Sequence, residues 1–163
     1  MLHFNVWVDG SYSSRFPNVT SGGVVVLERK GTSEPELVLV RYVKTEQEMF
    51  VKAHNSGGEL IAALTGIIDA CNLANGEDAT VNIYYDYRGV RDFLNGVYNA
   101  RQASSILYVE AVKATLEAHK NVRLTFTKIK AHSGVEYNVL ADNIAKGNCP
   151  MRYLKYRKPD VII

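Results

Sequence analysis

No stretch of this sequence is apolar for long enough to span a bilayer, and there is no internal repeat and no low-complexity tract. The amino terminus, MLHFNVWVDG, has neither a basic leader nor a small-residue cleavage site and already reads as structure. These absences argue against a membrane protein and a secreted precursor, and a cytoplasmic protein is expected. Cysteine is scarce and fits that compartment: Cys71 falls on the apolar stripe of a predicted helix and Cys149 follows the end of another. Strong net charge is missing too. The total is only +2, which does not by itself announce a nucleic-acid binder. Its distribution says more, because Met151 to Lys158, MRYLKYRK, is basic and aromatic while Glu46 to Glu48 and Glu77 to Asp78 are locally acidic.

What is present describes one soluble α/β domain. The 163 residues, 47% hydrophobic and 22% charged, suffice for one substantial core and are too few for two ordinary ones. Leu2, Phe4, Val6 and Val8 alternate with His3, Asn5, Trp7 and Asp9, the period of a strand with one face on a core. Asp9 is followed by Gly10, where a sharp turn would leave the carboxylate at the strand's carboxyl end, the edge at which open α/β sheets place ligands. Further strands are predicted over 24–27 and 37–43, giving an antiparallel meander. A helix follows with Leu60, Leu64, Ile67, Ile68 and Cys71 on its apolar face and Gly76 in the loop that ends it. Strand 80–86 also ends at an acid, Asp86. Helices around 88–95 and 105–119 come next, the second with Ile106, Val109, Val112 and Leu116 inward, then a strand over 122–129 and a helix over 135–146 stopped by Gly147 and Pro150. Parallel strands joined by a crossover helix can lie side by side, so Asp9 and Asp86 can meet at one edge.

Other acids have structural explanations of their own. Ser56 to Glu59, S-G-G-E, is a capping box, and Ser133 to Glu136, S-G-V-E, is a second, which leaves Glu136 out of a site. Asp142 lies one turn after Asn138 on a face flanked by Val135 and Val139, and an acid there, among apolar neighbours, is either partly buried and paired or holding a metal. His132 precedes that helix and alone means little.

Together the segments VDGSY, GGELIAAL, IYYDYRGV and IKAHSGVEYNVLADNIAK resemble type 1 ribonuclease H, particularly its bacterial and phage branch, from the first strand to Lys146. The resemblance implies a ribonuclease H-like fold with a mixed five-stranded sheet, antiparallel in its first three strands and flanked by helices. It implies a catalytic domain over 1–147 with a basic, aromatic tail over 148–163. The implied activity is metal-dependent endonucleolytic cleavage of the RNA strand of RNA–DNA hybrids. Asp9, Glu59, Asp86 and Asp142 match the metal-binding carboxylates, His132 the mobile histidine, and Asn138 the asparagine ahead of the last acid. Asn55 matches a position that contacts the hybrid, and Gly10, Ser11, Ser56 and Arg88 are the other substrate-binding candidates. Two Mg²⁺ ions are implied, with Mn²⁺ a substitute, because two ions roughly 4 Å apart can stabilise both the attacking and the leaving oxygen of a phosphodiester. The expected partner is a hybrid duplex, with no membrane, and the expected state is a monomer.

Two departures stand out. No basic, tryptophan-bearing protrusion is recognisable between Arg91 and Ser105, and Met1 directly opens the first strand where relatives often carry a hybrid-binding domain. The alternatives are another nuclease or transposase of the superfamily, or a non-catalytic hybrid-binding module. An exonuclease would be expected to carry an acid two residues after Asp9, where Ser11 stands, and the complete acid set argues against a binding module.

Overall fold

A computed structural model describes residues 1–130 and 135–163. Strand β1 runs over Leu2–Ser11, two residues beyond the end at Asp9 that its alternation predicts, and strands β2 (Thr20–Lys30) and β3 (Glu36–Thr45) complete the meander. A one-turn helix α1 (Glu48–Val51) leads into α2 (Asn55–Ala74), then β4 (Ala79–Tyr85), the short α3 (Gly89–Asp92), α4 (Ala103–Ala118), β5 (Val122–Lys128) and α5 (Glu136–Ala145). A 3₁₀ turn over Met151–Tyr156 and a two-residue strand β6 (Val161–Ile162) end the chain. The expected architecture, an antiparallel meander joined to parallel strands and flanked by helices, is present. Among the described residues the sheet has six strands rather than the expected five, in the order β5-β4-β1-β2-β3-β6. β1 pairs antiparallel with β2 and parallel with β4, and β4 pairs parallel with β5.

Both faces of the central strands are covered. Phe4, Val6, Val8, Val24 and Val26 pack beneath α2 with Ile61, Ile67 and Ala70, and α4 adds Tyr108 and Val112. On the other face Val25, Leu27 and Val40 meet Leu140, Ala141 and Ile144 of α5. β2 therefore reads as a continuous apolar run where β1, half-covered on its second face, alternates. Contrary to the expectation from the sequence, one stretch, helix α2, is long and apolar enough by length and composition to cross a membrane, but 83% of it is buried inside the protein.

Two apolar stripes differ from the sequence prediction. Ile68 on α2 and Ile106 on α4 are about two-fifths exposed, and Val109 and Leu116 only half-buried. Helix α4 instead buries Ser104, Ser105, Tyr108 and Val112, and the Tyr108 hydroxyl donates to the Val90 carbonyl at 2.6 Å. The inward face of α4 is decided by where α3 supplies an acceptor for that phenol, which heptad-like spacing cannot report. The segment expected as a helix around 88–95 narrows to the single turn of α3.

The segment after Pro150 is packed against the sheet. Tyr153 joins the second core cluster and its hydroxyl reaches Glu136 at 3.1 Å. The Lys158 amide donates to the Val40 carbonyl, β6 runs parallel to β3, and Arg41 grips Asp69 with two nitrogens at 2.9 Å while donating to the Pro159 carbonyl at 2.6 Å. Removing residues 151–163 would expose this edge of β3 and open a hole over Val40. Truncation after Pro150 is therefore expected to lower the melting temperature sharply, Tyr153→Ala alone costing roughly 3 kcal/mol. An unchanged thermal or urea midpoint would show the tail to be surface decoration.

Candidate active site

Asp9 and Asp86 are brought together by register. The last paired residues of the parallel β1–β4 ladder are Trp7 and Tyr84, so each acid lies two residues further along its own chain, at the carboxyl end of the sheet. Gly10 does not make the sharp turn predicted for it: β1 continues through Gly10 and Ser11, which pair with Gly22 and Ser21. Glycine is required there for a different reason. A β-carbon on Gly10 would overlap the Asn55 carbonyl and the Glu59 amide, so its absence lets the start of α2 lie directly on the strand. Gly23 does the same on the other face, where a β-carbon would meet the Ala141 carbonyl of α5. Two helices thus reach the same strand end from opposite sides, one carrying Glu59 and the other Asp142.

The capping box expected at Ser56 to Glu59 does not form. α2 already begins at Asn55 behind His54, without a side-chain cap, so Ser56 and Glu59 lie inside the helix. Glu59 is 3% exposed and its carboxylate accepts the Tyr87 amide just beyond β4, fastening α2 to the Asp86 loop. The second expected capping box includes Ser133, which, with His132, lies outside the described residues. Val135 and Val139 are 42% and 44% exposed and do not enclose Asp142. Asp142 is partly buried at the edge of a cleft and paired, with Lys146 at 3.1 Å, while Asp86 meets Lys128 at 3.4 Å.

That cleft, about 470 Å³, is walled by the four acids and by Gly10, Ser11, Asn55, Ser56 and Asn138. Every described candidate from the sequence except Arg88 is in its wall. Arg88 is exposed at the start of α3, next to Tyr87, which does line the cleft. Sequence reasoning missed Tyr12, Tyr87 and Lys146, which also line it. Lys146 was readable as the i+4 partner of Asp142. Tyr12 was not: it stacks on His54, ring centroids 4.1 Å apart and 15° from parallel, across 42 positions of chain (54 − 12). His54 has a left-handed φ of 54°, and its carbonyl is held by the Thr20 hydroxyl at 2.7 Å. Such a backbone, uncommon outside glycine, persists because its surroundings overdetermine it.

The acids burden one another. Burial pushes Asp9 up to about 7, helped by a hydrogen bond and charge from Asp142 and by the charge of Asp86, and opposed by the Gly10 amide donating at 2.9 Å. Burial likewise pushes Glu59 up to about 8, with Asp9 and Asp86 adding to it and the Tyr87 amide opposing. Among the described residues no three histidine, cysteine or acidic side chains stand arranged around a common point to hold a metal ion. Lysines already face Asp86 and Asp142, and the Tyr87 amide faces Glu59. The chemistry of the donor set nevertheless fits a hard divalent cation: oxygen-only ligands, negative charge in excess, and two carboxyls driven toward protonation by burial and by the neighbouring carboxylates.

Raised carboxyl pKa values carry a sign for stability. A group that binds its proton more tightly when folded than when unfolded contributes stability at low pH and loses it as pH rises toward the folded value. Metal-free protein is thus expected to lose thermal stability between about pH 4 and pH 8, the interval from the ordinary values of Asp9 and Glu59 to their raised ones. Added Mg²⁺ should restore it. Melting curves across pH with chelator and with Mg²⁺ check this, and a midpoint that is flat over that interval would contradict the charge cluster.

The family model described as RNase H matches residues 2–149 of this chain. No curated protein matches the sequence. Among solved structures, the amino-terminal RNase H domain of a Mycobacterium tuberculosis protein superposes with a TM-score of 0.68 at 16% identity, over 90% of this chain and 93% of that one. RNase H1 from the halophilic archaeon Halobacterium salinarum gives 0.63 at 14%, over 89% and 98%. An RNase H1 isolated from compost, solved in complex with an RNA/DNA hybrid, gives 0.63 at 16%, over 89% and 95%. These likenesses match folds over nearly whole chains.

Proposed function

This chain belongs to the ribonuclease H family, and on that premise we propose that it cuts the RNA strand of RNA–DNA hybrids endonucleolytically, with two Mg²⁺ ions held by Asp9, Glu59, Asp86 and Asp142. The observation that carries the reading is convergence: two register-matched strand ends and two helices from opposite sheet faces deliver four carboxylates to one cleft. When bound, the ions supply positive charge to the attacking and leaving oxygens and make a water nucleophilic near neutral pH, with Mn²⁺ able to substitute.

The protein's own residues do the rest. Asp9, the most crowded acid, is oriented by the Gly10 amide, and Glu59 by the Tyr87 amide, so both present a fixed oxygen to the cleft. Lys128 and Lys146 pair with Asp86 and Asp142 and offset part of their charge. Gly10, Ser11, Asn55 and Ser56 form a polar wall suited to hydrogen-bonding 2′-hydroxyls, the groups that distinguish RNA from DNA, and buried Asn138 steadies the α5 side. His132 assists release of product or a proton, with a smaller effect than the acids. Two free cysteines, one of them buried, support a reducing, cytoplasmic setting. A monomer satisfies this mechanism, since all four acids come from one chain.

The deciding assay incubates the protein with end-labelled RNA–DNA hybrid, duplex DNA and duplex RNA, each with Mg²⁺ or chelator. Cleavage of the RNA strand of the hybrid alone, abolished by chelator, is expected, and comparable cutting of duplex DNA would overturn the proposal. Exposed Arg88, beside the cleft, is placed to meet phosphate bidentately. Arg88→Ala should raise KM and lower the slope of log affinity against log salt by about 0.9, with kcat nearly unchanged. Unchanged KM and slope would place the backbone contact elsewhere.

A further inference from the structure

A second groove, about 560 Å³, opens from the first and shares Ser11, Tyr12 and Lys146 with it. It runs across the loop between β1 and β2 to the ends of β2 and β3. Its wall carries the aromatic rings of Tyr12, Phe16 and Tyr42 and the Lys44 side chain, together with Lys146, whose ammonium is paired with Asp142 of the first cleft, and no acid of its own. Phe16 is 70% exposed, so its ring is open to solvent at the groove and free to accept a partner on its face. The ring is not on a loose loop. Its amide donates to the Ser13 carbonyl at 3.0 Å and its carbonyl accepts the Val19 amide at 3.3 Å, so both sides of the residue are pinned in a turn. Tyr42 rests on the second core cluster and gives the groove a firm base. Rings with cations and no anions are what an unpaired nucleic-acid strand requires, bases stacking on the first while the second track phosphates.

We propose that this groove binds the single-stranded continuation of the RNA strand as it leaves the catalytic cleft, so that the protein favours hybrids flanked by unpaired RNA. The inference rests on the function proposed above, which places the RNA strand against the carboxylates and therefore makes it the strand that continues past Ser11 and Tyr12. Duplex cannot follow the same route as readily, since stacking on Phe16 needs a base freed from its partner.

The test measures affinity in an Asp9→Asn background, which keeps substrate intact, using fluorescence anisotropy with a blunt RNA–DNA hybrid and with the same hybrid carrying an unpaired RNA or unpaired DNA extension at either end. An RNA extension at one end is expected to tighten binding about fivefold or more, the scale of a single base stacked on a ring. Phe16→Ala should remove that gain and Phe16→Trp retain it, with blunt-hybrid affinity the same in all three proteins. Lys44→Gln should reduce the salt slope for the extended substrate by about 0.7 and leave the blunt one alone. No gain from RNA at either end, an equal gain from DNA extensions, or a gain that survives Phe16→Ala would each overturn the proposal. Because binding is read without turnover, failure of the wild type to cut any hybrid would refute the proposed reaction while the extension comparison still decides the groove.

Discussion

Asp9→Asn and Asp86→Asn should each abolish hybrid cleavage, lowering kcat by on the order of a thousandfold or more, while the protein stays folded. An ion that stabilises charge in the transition state contributes several kcal/mol, and each 1.36 kcal/mol is about a decade in rate. An asparagine amide in place of either carboxylate cannot supply the negative charge that holds the ion. Stability should move the other way. Asp9 is held near 7 by burial and by Asp142 and Asp86, so the wild type carries an unfavourable ionisation at neutral pH that the asparagine variant lacks. In chelator, Asp9→Asn is expected to melt higher than wild type at pH 8 and at the same temperature near pH 4, where the wild-type carboxyl is already protonated. Mg²⁺ should then raise the wild-type midpoint far more than the variant's. Wild-type-like turnover in either variant would sink the assignment, and a variant that melts lower at pH 8 would refute the electrostatic account of the cluster.

Glu59→Gln should cost nearly as much activity for a different structural reason. Glu59 is buried, lies inside α2 and accepts the Tyr87 amide, so it is both a candidate ligand and a strut between α2 and the loop after β4. Glutamine keeps a carbonyl oxygen for that amide and nearly the same volume, which separates the two roles. The expected result is an unchanged or raised melting temperature, since burial had pushed this carboxyl up to about 8, together with a loss of at least about a hundredfold in kcat/KM. Glu59→Ala is the contrast. It should lose activity and stability together, because it leaves the Tyr87 amide without its acceptor, a cost of about 1–3 kcal/mol. Activity within a few-fold of wild type in Glu59→Gln would make Glu59 a strut and nothing more, with the other three acids left to carry the charge.

Local pattern was enough for a good part of this protein. The alternation of Leu2, Phe4, Val6 and Val8 determined β1 and its inward face, because a strand's two faces are set by a period of two residues and need no knowledge of the rest of the fold. That Asp9 and Asp86 lie at the carboxyl ends of two strands was legible for the same reason, although β1 runs on to Ser11 and β4 stops at Tyr85, and a parallel pairing of those strands follows from an intervening crossover helix. The four acids, Asn55 and Asn138 could be named together only through the resemblance of their segments to a known family, since on local pattern alone Glu59 reads as a capping residue. Tertiary structure decided what each local signal was worth. Ser56 and Glu59 have capping-box spacing, yet α2 begins upstream of that box, and Glu59 spends its carboxylate on an amide 28 residues away. Gly10 has the dipeptide of a turn, yet it extends a strand because a helix must touch it. Ile68 and Ile106 have the right period and the wrong neighbours. Tyr12 and His54, and the tail strand beside β3, are pairings over long separations that no window of sequence contains. Hydrogen-bond acceptors, close approaches and buried surface belong to pairs of segments, whereas propensity and period belong to one segment at a time, and the site is built where the two kinds of information meet.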